Sequence, residues 1–391
     1  MATQSKEAMP TERELVHRAA ALGPRLAERR ADAMAARRIP DDTIADIIAS
    51  GLLRASLPAR FGGYELPFGT HTSIAMELAR HCPATGWVGG ILASHNWWLG
   101  KYHPAAQEEI WADGPDALVA AAFACSRGGA VAEGDGYRVD GEWLWCSGID
   151  NCDWAIVVGP VKTPAGTDHG MALLDKTQFS VRDVWQSPGL QATGSNNVVV
   201  EDVLLPPHRV IAVDDMNTKD SPGRVLNGSA TYRLPTLGVF AYSVAAPVIG
   251  MARGTLDAFV AGMRKRMQFN TQTRIAREPT MQLRVSESSA EIHAAELIYR
   301  DEINNLRQVA EQDRALTAAE LARIQRNCGY IAKLCKTATY RLVEALGAGG
   351  LDSRSLVHTG YADVLAGTAH KALAFDFNLP PYGAALFGLD D

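Results

Sequence analysis

Residues 145–148 read Trp-Cys-Ser-Gly. They put a flat aromatic ring, a hydroxyl and a glycine within four residues of backbone, a set suited to the edge of a flat heteroaromatic cofactor such as a flavin. On a regular strand Trp143 and Trp145 share a face, so Trp145 either fills a core beside Trp143 or flanks such a ring. Ser147 either caps a turn or bonds the cofactor. Two histidines lie in apolar surroundings, His95 before Asn96-Trp97-Trp98 and His370 after Tyr361-Ala-Asp-Val-Leu-Ala-Gly-Thr-Ala. Each is either a satisfied core residue or an imidazole available for proton transfer and hydrogen bonding near neutral pH. Ser126 is a strand-end hydroxyl. Arg266 closes an Arg-Lys-Arg run, either a solvated helix face or a bidentate partner for a phosphate. Gly347, Gly349 and Gly350 at least end a helix. His103 and His358 read as surface residues.

Two texture changes along the 391 residues divide the chain into 1–117, 118–213 and 214–391. The first part is helical: Leu15, Ala19, Leu22 and Leu26 form one stripe, as do Ile44, Ile47, Ile48 and Leu52. Asp41 or Asp42 after Pro40 is the expected N-cap and Gly51 the C-cap. The run Gly86–Lys101 is almost wholly apolar and aromatic, so a helix there is buried on all sides. From 118 the chain alternates short β-branched runs with Gly/Asp/Asn turns, and Asp140-Gly141 is a hairpin signal. This predicts a small antiparallel β-barrel or sandwich. The segment Asp214–Leu234 is polar and rich in Gly and Pro, and reads as a mobile loop. Helical patterns then return over Val239–Gln268, Met281–Glu311, Thr317–Leu346 and Arg354–Phe377, long enough for a four-helix bundle. The fold class is mainly α with a central β domain.

With 47% apolar and 21% charged residues and a net charge of −6, the composition is that of a globular protein. No Lys/Arg-rich run argues for nucleic acid or a polybasic membrane contact. The N-terminus lacks an apolar signal core, and no uninterrupted apolar run reaches the roughly 18 residues of a membrane span. The six cysteines form no CxxC pair and fit no common zinc spacing, so no metal is expected. Buried free thiols in a reducing cytoplasm are the reading that fits. No GxGxxG fingerprint marks a site for NADH.

The order helices, β domain, helices, with Trp145 and Ser147 at the corner, resembles the acyl-CoA dehydrogenase fold. There, a matching Trp packs on the flavin and a hydroxyl bonds its N5. Ala55-Ser-Leu-Pro-Ala-Arg-Phe-Gly-Gly, Arg266-Met-Gln-Phe-Asn and Glu344-Ala-Leu-Gly-Ala-Gly-Gly look like further motifs of that fold. Dehydrogenases, however, place a glutamate base on the last long helix or near the start of the first C-terminal one. Here those stretches hold His370 and Val239-Phe-Ala-Tyr-Ser-Val-Ala-Ala-Pro, without a glutamate.

Ala84-Thr-Gly-Trp-Val…His95, Trp143-Leu-Trp-Cys-Ser-Gly, Gly194-Ser-Asn-Asn-Val-Val-Val-Glu-Asp-Val, Tyr232-Arg-Leu-Pro and Asp363…His370 are instead similar to the oxygenase components of two-component flavin-dependent aromatic monooxygenases, such as the p-hydroxyphenylacetate and secosteroid hydroxylases. The resemblance implies reduced FMN or FAD taken up as a diffusible co-substrate from a separate NAD(P)H:flavin reductase. With O2 it forms a C4a-(hydro)peroxide, which hydroxylates a small phenolic or indolic compound. It implies Ser147 and His370 as catalytic residues, with Trp145, Ser147, Arg266, Gly347, Gly349 and Gly350 on the flavin. His95 and Ser126 would contact substrate, in a homotetramer whose flavin site a neighbouring subunit completes. The alternatives are an acyl-CoA dehydrogenase with a displaced base, an N- or S-oxygenase of the same fold, and a silent flavin-fold scaffold.

Overall fold

The computed structural model describes residues 9–218, 221–268 and 272–389. Phe269 and Asn270 of the Arg266 motif lie outside the described residues, as do Lys219 and Asp220 of the 214–234 segment. Among the described residues, five helices come first: α1 (Glu12–Ala36), α2 (Asp41–Ala49), α3 (Thr70–His81), α4 (Pro83–Leu99) and α5 (Pro104–Ile110). A reciprocal Thr11–Glu14 capping box starts α1. For α2 the expected cap is displaced: Pro40 is the N-cap residue, and Asp41 and Asp42 sit in the first turn. There they complement the positive end of the helix dipole rather than capping it.

All 17 residues of α4 are buried, as its almost wholly apolar sequence leads one to expect. It ends against a buried charge, Lys101, that the apolar reading did not anticipate. Lys101 Nζ donates to Met216 O, Leu234 O and Thr236 Oγ1 at 2.7, 2.6 and 3.0 Å. Three acceptors for three protons satisfy the ammonium. They also tie down both ends of the segment read as a mobile loop. That segment contains α6 (Val213–Asn217) and a 3-10 turn, Ala230–Arg233, capped by Ser229. Asn227, Thr231, Tyr232 and Leu234 are buried in it.

The central sheet has eight strands: β1 (Val119–Ala122), β2 (Ala124–Glu133), β3 (Gly136–Cys146), β4 (Trp154–Thr163), β5 (Gly166–Asp175), β6 (Ser180–Arg182), β7 (Asn196–Leu205) and β8 (Val210–Ala212). Their order is β6-β7-β3-β2-β4-β5-β8, with β1 against β4. The sheet is mixed rather than antiparallel, because β1 and β2 both run parallel to β4. The reason is that 119–133 is one extended run. It pairs first as Val119↔Trp154 and later as Ala130↔Val161, with four more residues on its own side of the ladder. The slack bulges away to pair with β3.

The remaining helices are α7 (Thr236–Val239), α8 (Ala241–Lys265), α9 (Pro279–Glu311), α10 (Ala318–Ala345), α11 (Leu356–Thr368), α12 (Phe375–Asn378) and α13 (Pro380–Leu386). α8 packs on α3, α4, α10 and α11. The run Thr236–Lys265 is long and apolar enough to cross a membrane, but 61% of its most apolar window is buried inside the protein, as in a core helix. The expected helix over Arg354–Phe377 is interrupted: α11 stops at Thr368 and His370 follows in extended backbone.

Candidate active site

The corner departs from a regular strand in a way that decides the fate of its two tryptophans. Trp143 pairs with Val198 and Cys146 with Asn196, so β3 carries one residue too many between them. Trp145 absorbs it with φ +61°, a left-handed conformation that costs a bulky L-residue about 1–2 kcal/mol. The two rings therefore do not share a face. Trp143 is 1% exposed and donates from Nε1 to Val158 O at 3.0 Å, whereas Trp145 is 59% exposed. Trp145 is therefore not part of the β-domain core, and its left-handed backbone turns its ring to the surface. Gly148, at φ +78°, completes the turn; a Cβ there would stand 2.8 Å from Val88 Cγ1. Its N–H donates to Thr193 O at 2.7 Å, so the corner is seated between α4 and the 190–195 turn.

Ser147 is half-buried. Its Oγ lies 2.8 Å from Ser195 Oγ and accepts from Trp87 Nε1 at 3.3 Å. Trp87 in turn meets His370 edge-on, with ring centroids 6.0 Å apart. Further ring contacts run His370–Phe240, Phe240–Trp98 and Trp98–His95, with Phe123 against both Trp98 and Phe240. Three sequence candidates, Ser147, His370 and His95, thus share one continuous aromatic wall built by α4, Phe240 just before α8, Phe123 between β1 and β2, and the segment after α11. The wall holds an unpaid donor as well: Trp98 is fully buried and its Nε1 has no partner among the described residues.

The two histidines are locked in opposite tautomers. His95 Nδ1 stands 2.6 Å from Val119 O. A carbonyl only accepts, so Nδ1 carries the proton and Nε2 presents a lone pair. At His370 the reverse holds: Ala372 N donates to Nδ1 at 3.2 Å. The neutral ring then carries its proton on Nε2 and is a donor there. Burial pushes both imidazoles down to about 4, so both are neutral at physiological pH. His95 thus presents an acceptor at Nε2 and His370 a donor.

The segment bearing His370 and the turn behind Ser147 are clamped together by Asp363 on α11. Its Oδ1 accepts from Leu190 N at 2.6 Å and its Oδ2 pairs with Arg30 at 2.9 Å. Sequence reading quoted Asp363 only as part of a motif, and its two partners are about 170 and 330 residues away in the chain.

A second cluster forms at the end of α8. Arg266 is exposed there, and a Cβ at Gly349 would lie 4.0 Å from its Nη1. Gly347, at φ +58°, has open space above it, while at Gly350 a Cβ would strike Val343 O. His358 is not a free surface residue: its Nδ1 donates to Gly350 O at 2.7 Å and so shapes this turn. No hydrogen bond or ion pair among the described residues joins this cluster to the corner. Ser126 stands exposed at the β2 bulge and donates to Glu142 O at 3.0 Å; among the described residues it does not bond His95 or His370. An exposed aromatic, a half-exposed hydroxyl and a guanidinium over a glycine turn fit the ring and phosphate of a flavin.

Comparison with known proteins agrees with this geometry. Residues 9–111 match the acyl-CoA dehydrogenase N-terminal domain and residues 242–375 an acyl-CoA dehydrogenase C-terminal domain. The flavin-dependent monooxygenase oxygenase subunit HsaA of Rhodococcus jostii (strain RHA1) is 33% identical, over 94% of this chain and 97% of the relative. The oxygenase component of an FADH(2)-dependent resorcinol hydroxylase from Rhizobium sp. (strain MTP-10005) is 29% identical, over 91% and 89%. The crystal structure of 3-HSA hydroxylase from Rhodococcus sp. RHA1 superposes with a TM-score of 0.91 at 31% identity, covering 97% of each chain.

The fold is that of the acyl-CoA dehydrogenases. Within it, the chain belongs to the family of flavin-dependent monooxygenase oxygenase components, two-component enzymes that hydroxylate aromatic compounds. It is a flavin-dependent monooxygenase that works with a separate partner component, and the dehydrogenase alternative is not favoured.

Proposed function

We propose that the chain hydroxylates a small phenol or indole, held between His95 and His370 on the aromatic wall. The observation that carries this reading is the pair of opposite tautomers. A substrate hydroxyl donates to His95 Nε2, which draws electron density into the ring and prepares it for attack on an electrophilic oxygen. His370, with its proton on Nε2, would supply a hydrogen bond to the oxygen being transferred. Ser126, with its proton committed to Glu142 O, has lone pairs left to accept from a substrate hydroxyl. When bound, reduced flavin supplies the electrons that activate O2. Trp145 would flank its ring and Ser147 would meet N5, while the buried wall would exclude water.

Arg266 with Gly347, Gly349 and Gly350 would hold the flavin's phosphate. Since that cluster is separate from the corner, we assign the two halves of one site to different copies of the chain, in a homotetramer. Exposed Leu351, Leu356, Phe377 and Phe387 provide apolar surface for that assembly. The partner component would be an NAD(P)H:flavin reductase. The cytoplasm, where reduced flavin is replenished and the six free cysteines stay reduced, is the fitting compartment.

The test is anaerobic mixing of the protein with reduced FMN or FADH2, then O2, across a panel of phenols and indoles. Hydroxylated product in proportion to O2 consumed is expected for at least one phenol or indole. Formation of H2O2 alone, at the rate of free flavin oxidation, with every compound would overturn the reading.

A further inference from the structure

Ser147 stands at the outer end of a row of hydroxyls that leads inward to a backbone carbonyl. Thr193 Oγ1 lies 2.8 Å from Leu190 O, Ser195 Oγ 2.7 Å from Thr193 Oγ1, and Ser147 Oγ 2.8 Å from Ser195 Oγ. Thr193 and Ser195 are 1% and 3% exposed, so water does not share in these contacts. Oxygen atoms this close need a proton between them.

Proton counting along the row has one outcome. The Leu190 carbonyl cannot donate, so Thr193 donates to it. Thr193 then has only lone pairs for Ser195, and Ser195 donates to Thr193. Ser147 must donate to Ser195. Trp87 Nε1–H can only donate, and does so to Ser147. Every hydroxyl proton therefore points inward, and Ser147 shows the cofactor a lone pair and no hydrogen. The inner terminus is fixed as well: Leu190 O also accepts from Trp185 Nε1 at 2.9 Å, and Leu190 N is held by Asp363.

We propose that Thr193 and Ser195 are positioning residues that keep Ser147 a hydrogen-bond acceptor, and so make the site select reduced over oxidised flavin. N5 of a reduced flavin carries hydrogen and donates to Ser147. N5 of an oxidised flavin has only a lone pair, which meets another lone pair unless the row reverses and the Thr193–Leu190 bond breaks. An enzyme that takes up reduced flavin and must let oxidised flavin go gains turnover from this bias. The inference rests on the placement of N5 at Ser147 proposed above.

The test is equilibrium binding of FMN to the full chain, oxidised in air and reduced under anaerobic dithionite, for the native protein, Thr193→Val, Ser195→Ala and Ser147→Ala. Either of the first two variants removes the inward sink and lets the Ser147 proton turn outward. The ratio of oxidised to reduced Kd is then expected to fall about fivefold, mainly by tighter oxidised binding, since one hydrogen bond gained or lost is worth about 1 kcal/mol. That equals about 20 mV in the potential of bound flavin for a two-electron couple. Looser packing in a variant would weaken both forms together and leave the ratio alone. If Ser147→Ala shifts binding while Thr193→Val and Ser195→Ala leave the ratio unchanged, the relay is refuted and the flavin placement survives. If Ser147→Ala shifts neither Kd, the placement itself fails and the inference falls with it.

Discussion

Replacing Trp145 by glycine and by alanine separates the strain at the corner from the use of its ring. Both variants delete the same indole, so its partial burial cancels between them. They differ in how they tolerate φ +61°. Alanine keeps a Cβ and so the left-handed cost of about 1–2 kcal/mol. Glycine escapes that cost but gives up about 0.5–1 kcal/mol in backbone entropy on folding. The glycine variant is therefore expected to be the more stable by about 0.5–1 kcal/mol, the reverse of the order in a regular strand. Urea unfolding of the flavin-free protein at one fixed protein concentration reads this as a higher midpoint for Trp145→Gly at equal slope. Both variants should bind reduced FMN about two- to tenfold more weakly than the native chain, since an aromatic contact is worth about 0.5–1.5 kcal/mol. An alanine variant as stable as the glycine variant would refute the strain argument. Unchanged FMN affinity in both would refute the use of the ring.

The remaining expectations concern the histidines and the clamp. His95→Ala should lower kcat/KM for hydroxylation by about 10²–10⁴ while reduced-FMN affinity stays within about twofold; a full-rate variant would remove His95 as the base. His370→Ala should divert O2 to H2O2, read as a lower ratio of product to O2 consumed, and unchanged turnover would exclude it from the mechanism. His71 and His95 are fully buried, and burial lowers them to about 3 and about 4. The unfolded chain, with histidines near 6.5, takes up protons that the folded chain refuses once the pH drops below that value. Their contribution to stability is thus complete above about pH 6.5 and is lost as the pH falls toward 4, each costing about 1.4 kcal/mol per pH unit in between. Urea midpoints at pH 7.5 and 5.5 check this, and a His71→Asn variant that loses as much on acidification as the native chain would contradict it. Asp363→Ala strands Arg30, which is largely buried, and frees the 190–195 turn. A loss of about 3 kcal/mol is expected by the same unfolding assay, and a loss under about 1 kcal/mol would show that the clamp is not needed.

How far the sequence was legible varies with the range of the forces involved. The order of helices and strands and the buried α4 follow from local periodicity, and the structure has them; the turn expected at Asp140-Gly141 lies instead at Gly134-Asp135, and Asp140 and Gly141 sit inside β3, paired with Gly129 and Gly128 of β2. The break after Thr368 was missed because His370 and Lys371 leave the helix to form a 3-10 turn that packs on α8 and α10, a tertiary decision. The mixed sheet was missed because parallel pairing of β1 and β2 with β4 depends on slack in one long run, and no local signal reports which strand lies beside it. Asp214–Leu234 read as loose because polar and glycine-rich composition is blind to a lysine arriving from the end of α4.

The corner itself shows the division most sharply. From residue types alone, Trp145, Ser147 and Gly148 suggested a flat cofactor, and with His370 in place of a glutamate they pointed to oxygen chemistry. Sequence by itself determined that these groups exist and in what order. Only the tertiary structure decided which tryptophan is core, since that turns on one surplus residue in the β3–β7 ladder. It also decided which histidine accepts and which donates, and which way the Ser147 proton points. Those outcomes depend on partners such as Val119 O, Ala372 N and Leu190 O. A hydrogen bond's direction is set by what lies across from it in space, and most of those partners sit far away in the chain.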